Sequence, residues 1–228
     1  MIVIIAPMQE EMEEYIKNVP QLSQSHFLNS MAYRGEWNGA PIILVKSGVG
    51  KVNAAMMTQN LINQFSLKGV IVQGVAGAVH PALNVGDLVL GDSHMHHDMD
   101  VTALGFHKGE IPFSESHDFP GDAVLLERAK KACEKLGFSY ATGRFISGDQ
   151  FIADPTLIEK LYREFAALAV DMEIAAIAQV CHINQIPFLS AKAISDRADR
   201  KANTDFAKFL KSSARRSYQL VKEILSNS

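Results

Sequence analysis

The sequence predicts an α/β fold of three layers, with helices on both faces of a central, mixed, twisted sheet. Short apolar runs rich in β-branched residues recur along the 228 residues, as strands buried on both faces require. Stretches with apolar residues every three to four positions lie between several of these runs, the alternation expected of a layered α/β fold. Asn38-Gly39, between two strand-like runs, signals a tight antiparallel hairpin, so the sheet is not wholly parallel.

Ile2 to Ile5 is the first strand, and Pro7 after it is placed to open a helix. Gln9, Glu10 and Glu11 then fall in the first turn of that helix, where acids complement the helix dipole. Met31 to Trp37 and Pro41 to Lys46 form the hairpin, with Ile42 to Val45 as the apolar centre of its second arm. Lys51 to Phe65 places Val52, Ala55, Met56, Leu61 and Ile62 at helical spacing. Val70 to Val72 and Leu88 to Leu90 read as strands; Ala123 to Leu136 and Pro155 to Phe165 read as helices. Ala167 to Val170 and Phe188 to Ile194 are buried strands, separated by a helix from Ile174 to Cys181. The last helix starts near Asp205 with Asn203 or Thr204 as cap, carries Phe206, Phe209 and Leu210 on one face, and ends at Leu225. No repeat and no Pro-, Gly- or Ser-rich linker divides the chain, so residues 1–228 read as a single domain.

A composition 47% hydrophobic and 21% charged is that of an ordinary globular protein. The net charge of -3 leaves no basic footprint for nucleic acid or an anionic membrane, so the expected partner is a small molecule. Cys133 and Cys181 stand far apart, which argues against a disulfide framework and for a reducing compartment, the cytoplasm. Met1 to Pro7 lacks the basic flank of a signal peptide, and no run approaches the ~20 apolar residues that span a bilayer.

Several segments could carry chemistry. Glu11 has two readings: a solvated acidic turn, or a general base, since ligands of open α/β sheets bind at the carboxyl ends of strands. Ser47 to Lys51 imitates a phosphate-binding loop but fails its spacing, because Val45 stands where the first glycine belongs and Val52 where Ser or Thr belongs. In Gly74-Val75-Ala76-Gly77 the small residues either let a ligand approach the backbone closely or simply form a tight turn. His94, His96, His97 and Asp98 form a cluster without clear further ligands, so no metal is expected and satisfied polar residues are the better reading. Phe151 could stack on a planar base while the backbone of Ile152 bonds its edge. Val170 to Glu173 and Ala193 to Asp196 each end an apolar strand in acids. With Glu11 they bring three carboxylates to strand ends, the equipment that cleavage of an N-glycoside needs.

Read together, APMQEEM (Ala6 to Met12), SGVGKVNAA (Ser47 to Ala55), GVAG (Gly74 to Gly77), VGD (Val85 to Asp87), HDMDVTALG (His97 to Gly105), SGDQFI (Ser147 to Ile152), VDMEIAAIA (Val170 to Ala178) and AISDRAD (Ala193 to Asp199) resemble the nucleoside phosphorylase/nucleosidase superfamily. The likeness is to its 5′-methylthioadenosine/S-adenosylhomocysteine nucleosidases, over nearly the whole length. It implies hydrolysis of the adenine–ribose bond of those nucleosides, and of 5′-deoxyadenosine, in a homodimer without a cofactor. It further implies that Asp196 is the general acid at adenine N7, steadied by Ser195, and that Glu11 activates water as the nucleophile. Glu173 would hold the ribose hydroxyls, with Met172 and Met8 against the sugar. Phe151 and Ile152 would hold adenine, Val49 and Phe206 would line the 5′ pocket, and Val101 and Leu104 would reach it from the partner subunit. Three positions depart from the usual pattern: Val75 replaces a serine, Lys192 an arginine beside the acid, and Leu104 an aromatic. Aminofutalosine hydrolysis is a sibling alternative. A phosphorylase is disfavoured because Gln9, Glu10 and Glu11 would repel phosphate, and a non-catalytic nucleoside-binding module has no use for both Glu11 and Asp196.

Overall fold

The computed structural model describes residues 1–37, 39–197 and 202–226. In chain order the elements are β1 (Ile2–Ala6), α1 (Glu13–Asn18), β2 (Ser23–Phe27), β3 (Ser30–Trp37), β4 (Ala40–Lys46), α2 (Lys51–Gln64), β5 (Gly69–Ala78) and β6 (Leu88–His96). There follow β7 (Phe119–Pro120), α3 (Ala123–Leu136), β8 (Tyr140–Ser147), α4 (Pro155–Phe165), β9 (Ala169–Asp171), α5 (Ile174–Ile183), β10 (Phe188–Asp196) and α6 (Ala202–Ser226).

The apolar run of β1 has no polar alternation because helices cover both of its faces. Val3 and Ile5 pack with Ala54, Met57 and Leu61 of α2 and with Ile174 and Ile177 of α5. Ile4 and Ala6 face the other way, onto Tyr15 of α1, Leu125 and Ala129 of α3, and Leu220 and Val221 of α6. Each fully buried branched side chain contributes about 1.5–3 kcal/mol, so both outer layers hold the strand. The predicted three layers are therefore present, with a mixed sheet between the helices.

Strands β4, β1, β5 and β10 run parallel, while β3 and β2 continue one edge antiparallel. On the other side β10 pairs antiparallel with β6, β6 pairs parallel with β8 and β8 with β9, and β9 returns antiparallel onto the end of β5. Strands β5, β10, β6, β8 and β9 thus close a circuit. It closes because β5 outruns β1, which it pairs as far as Val72, and pairs with β9 at Gly77 and Ala78. Gly74, between these two pairings, has φ 132, a conformation open to glycine and costly for any side chain. The two acid-bearing strands do not run alike: β9 opposes β5 and β10 follows it, and the closed circuit is what brings Asp171 and Asp196 together.

Several expectations are corrected. Residues 7–12 form turns and α1 begins only at Glu13, so Glu11 is not in a first helical turn. Its carboxylate accepts the Met8 N–H at 2.8 Å instead of facing solvent. Helix α6 already includes Ala202, which places Asn203 and Thr204 inside it rather than at its cap. The expected strand Ala167 to Val170 is shifted to Ala169–Asp171, and Val70 to Val72 and Leu88 to Leu90 are the first parts of longer strands. The hairpin pairs Trp37 with Ala40 as anticipated, although Asn38 lies outside the described residues, as does the end of the AISDRAD segment from Ala198. Among the described residues no helix is long and apolar enough to cross a membrane.

Candidate active site

The turn after β1 folds Glu11 back under the sheet. Its Oε2 accepts the Met8 N–H at 2.8 Å and its Oε1 the Val75 N–H at 2.9 Å. Gln73 Nε2 donates to the Glu11 carbonyl at 3.0 Å, pinning the backbone as well. Gly74 is what admits the carboxylate, since a Cβ there would sit 2.1 Å from Oε1. The small residues of the GVAG segment therefore make room for a side chain of the protein itself. Burial pushes the Glu11 carboxyl up to about 7, outweighing the Lys192 ammonium and the two backbone donors that pull it down. The solvated-turn reading fails, because Glu11 is buried.

Glu173 sits at the start of α5, and its Oε1 accepts the Gly50 N–H at 3.0 Å. The phosphate-loop lookalike thus grips a carboxylate of its own chain. Lys51 extends that grip, its N–H donating to Asp149 Oδ1 at 2.8 Å and its Nζ to Asp98 Oδ1 at 2.5 Å. Burial also raises the Glu173 carboxyl to about 7, against the pull of Lys192 and with help from Asp171. Lys192 is buried in the middle of β10, with its Nζ 2.7 Å from Asp171 Oδ2 and 3.5 Å from Glu173 Oε2. Burial alone would lower this ammonium, yet Asp171, Glu173 and Glu11 together hold it above the usual lysine range. Asp196 ends β10, where the register with β5 shifts after Ile194, and Ser195 Oγ donates to its Oδ2 at 2.8 Å.

Glu11, Glu173, Lys192, Ser195 and Asp196 form the inner wall of one cavity of about 230 Å³. Val75, Met8 and Met172 complete that wall, and Ile152 lies buried beside it. The mouth is apolar: Phe151 meets Phe206 edge to face with centroids 5.8 Å apart, and Val49 lies across from them, half exposed. Every expected residue of the main pocket, from Met8 to Phe206, lines this space. Val101 and Leu104 lie outside it, Leu104 being 73% exposed on a single 3₁₀ turn, Thr102–Leu104. Ala76 and Gly77 of the GVAG segment line the cavity as well, and so do Asp171 and Gln150, which were not among the expected site residues. For Asp171 the signal was available, since a lysine inside an apolar strand demands a buried acid.

The histidine cluster does other work. His94 is bonded through both ring nitrogens, to the Phe119 carbonyl and to Ser190 Oγ, each at 2.7 Å. Burial drops it to about 4, so its ring is neutral. His96 bonds Gln179 at 3.0 Å. Among the described residues no group of three or more His, Cys, Asp or Glu is arranged to hold a metal ion.

A family model described as the phosphorylase superfamily matches residues 1–226. The chain belongs to the phosphorylase superfamily. Within that superfamily it is similar to the 5′-methylthioadenosine/S-adenosylhomocysteine nucleosidase of Anoxybacillus flavithermus, 38% identical over 223 residues that cover 97% of this chain and 96% of the relative. The nucleosidase of the same description from Neisseria meningitidis, solved in complex with methylthio-immucillin-A, matches at a TM-score of 0.96 and 38% identity, covering 100% of this chain and 99% of the other. A futalosine hydrolase mutant of Helicobacter pylori matches at the same TM-score of 0.96, with 29% identity and coverage of 100% and 99%. The superfamily likeness therefore spans both the carboxylate-bearing wall and the apolar mouth.

Proposed function

We propose that this chain is a nucleosidase that hydrolyses the N-glycosidic bond of 5′-methylthioadenosine and S-adenosylhomocysteine, releasing adenine and the 5′-thioribose product. The observation that carries the reading is the convergence of Glu11, Glu173 and Asp196 on one cavity whose mouth offers an aromatic ring. The names of the relatives and the bound methylthio-immucillin-A of the Neisseria meningitidis protein support the same substrate class.

In this reading Asp196 gives its proton to adenine N7 as the C1′–N9 bond breaks, so that the base leaves neutral. Positive charge grows on the sugar ring, and the buried carboxylates stabilise it in a low-dielectric setting. Glu173 accepts from the ribose hydroxyls. Glu11 takes a proton from water as the water oxygen bonds to C1′. A base with its carboxyl near 7 is matched to that task at neutral pH. Met172 and Met8 pack on the sugar, Phe151 and Ile152 hold adenine, and Val49 and Phe206 flank the 5′ substituent.

The same reading takes residues 1–228 as one nucleosidase domain that works as a cytoplasmic homodimer. Leu104, exposed and apolar, suits a contact with a second copy, and Val101 beside it would reach the partner's pocket. Cys133 and Cys181 are free and buried, each thiol pushed up to about 12 by burial, which suits a reducing compartment. The futalosine hydrolase likeness keeps aminofutalosine as a second reading in the same cavity. One assay separates these readings: free adenine released from a panel of 5′-substituted adenosines and aminofutalosine, with and without phosphate. Turnover of the 5′-thio nucleosides without phosphate is expected, and turnover that requires phosphate would overturn the hydrolase reading.

A further inference from the structure

The inner wall holds more charge than the proposed reaction uses. Asp171 and Lys192 form a buried ion pair between the Glu11 and Glu173 carboxylates, and no step above assigns Asp171 a role. Asp171 is firmly held. Its Oδ1 accepts from Ser147 Oγ at 2.5 Å, the Ile174 N–H reaches both of its oxygens at 3.1–3.2 Å, and the Ala175 N–H in turn fixes the serine at 2.8 Å. A lysine ammonium is a compact point charge with three donors, without the planar fork by which arginine binds a carboxylate through two parallel hydrogen bonds, so its distance to each neighbouring acid can differ. Here the closer contact is with Asp171 at 2.7 Å, and the ion pair with Glu173 Oε2 is longer, at 3.5 Å.

We propose that Asp171 is a positioning residue that draws the Lys192 ammonium to itself, so that its ion pair with Glu173 Oε2 stays the looser of the two and Glu173 Oε2 keeps the capacity to accept a hydrogen bond from the substrate. The substrate half of this statement rests on the proposed nucleosidase reading; the division of charge does not. Acting through Lys192, Asp171 also sets how strongly that cation favours ionisation of Glu11 and Glu173. The groups facing the cluster are Glu11 on the turn after β1, Glu173 at the start of α5, and Lys192 and Asp196 on β10. Tyr15 of α1 lies within electrostatic range of Glu11, and His94 and His97 within range of Asp171.

The signs follow from Coulomb's law. Removing the Asp171 charge turns Lys192 onto the two glutamates and favours their ionised forms, so they titrate at lower pH. Removing the Lys192 charge does the reverse. Loss of packing alone would shift neither in a sign-dependent way. The experiment titrates the full-length protein labelled with ¹³C at the glutamate side-chain carboxyls, in the parent, Asp171→Asn, Lys192→Gln, Asp171→Glu and the double variant Asp171→Asn/Lys192→Gln. The Glu173 midpoint is expected to fall by about one pH unit in Asp171→Asn and to rise by at least as much in Lys192→Gln. The double variant should lie between them, and Asp171→Glu should restore the parental midpoint. The acid limb of kcat/KM for adenine release should move in the same directions. If Asp171→Asn does not fold, the double variant, which leaves no unpaired buried charge at this pair, must still titrate below Lys192→Gln. Unmoved midpoints, or shifts of the same sign in the two single variants, would overturn the proposal. A parent that titrates as stated but releases no adenine would instead count against the nucleosidase reading alone.

Discussion

Glu11, Glu173 and Asp196 on the inner wall of the cavity are 1%, 4% and 3% exposed, whereas Val49 and Phe151 at its mouth are 47% and 48% exposed. The wall is charged, and each acid has named partners: backbone donors for Glu11 and Glu173, a serine hydroxyl for Asp196. At the mouth, by contrast, apolar side chains meet through one edge-to-face ring contact. Charges act strongly only where water is excluded, so bond breaking has to be served by the wall. A mouth that must accept different 5′ substituents can be looser. The difference implies that turnover and substrate affinity can be damaged separately.

The largest test of that division is at the wall. Asp196→Asn and Glu11→Gln are each expected to lower kcat by about 10²–10⁴, the usual worth of a proton carrier, with KM changed little. Steady-state adenine release measures both. Parental turnover in Asp196→Asn would remove the general acid from the mechanism, and an effect confined to KM would erase the distinction between wall and mouth.

A smaller effect comes from pH, and activity and stability should answer it in opposite directions. In the proposed mechanism ionised Glu11 is the base, so kcat/KM is expected to fall about tenfold per unit as pH drops below about 7. Stability works the other way. The folded-state carboxyl is near 7 and the ordinary value 4.5, so between them the folded chain binds more protons than the unfolded one. The contribution to stability is full below that window and is lost as pH rises through it. Melting temperatures from pH 5 to 8 should therefore decline on this account, and Glu11→Gln should flatten the slope. A parental slope retained in Glu11→Gln would show that Glu11 is not the group responsible.

The same contrast governs what could be read from the sequence. Apolar runs announce the strands they fill, so β1, β4 and the start of β5 were legible, and the capped helices α3 and α4 fall at the predicted bounds. Strand β2 is a polar edge, and β8 carries Gly143 and Arg144, so neither displays a buried run. The closed circuit depends on pairings between distant segments, such as β9 with the end of β5, which local pattern does not encode. Of the site, the three carboxylates and the pocket residues were legible through strand-end placement and ordered motifs. The burial of Glu11 was not, because a turn of Gln and Glu looks solvated until the backbone N–H groups of Met8 and Val75 are seen to receive it. Asp171 was overlooked because its role lies in a pair with Lys192, 21 positions away.

At the mouth the expected effect is the smallest. Phe151 meets Phe206 edge to face and, in the proposed reading, holds adenine, and an aromatic pair contributes roughly 0.5–1.5 kcal/mol beyond its buried area. Phe151→Ala should therefore raise KM about two- to tenfold with kcat within about twofold of the parent, by the same conversion. The half-exposed ring holds no charge that changes between ground and transition state, so its binding contribution is nearly uniform along the reaction. Parallel kinetics with methylthioadenosine and adenosylhomocysteine would sharpen the point, since an adenine contact should weaken both nucleosides alike. A loss falling mainly on kcat would mean that Phe151 helps to align the base for protonation by Asp196, and the mouth would then take part in the chemistry that the wall was taken to perform alone.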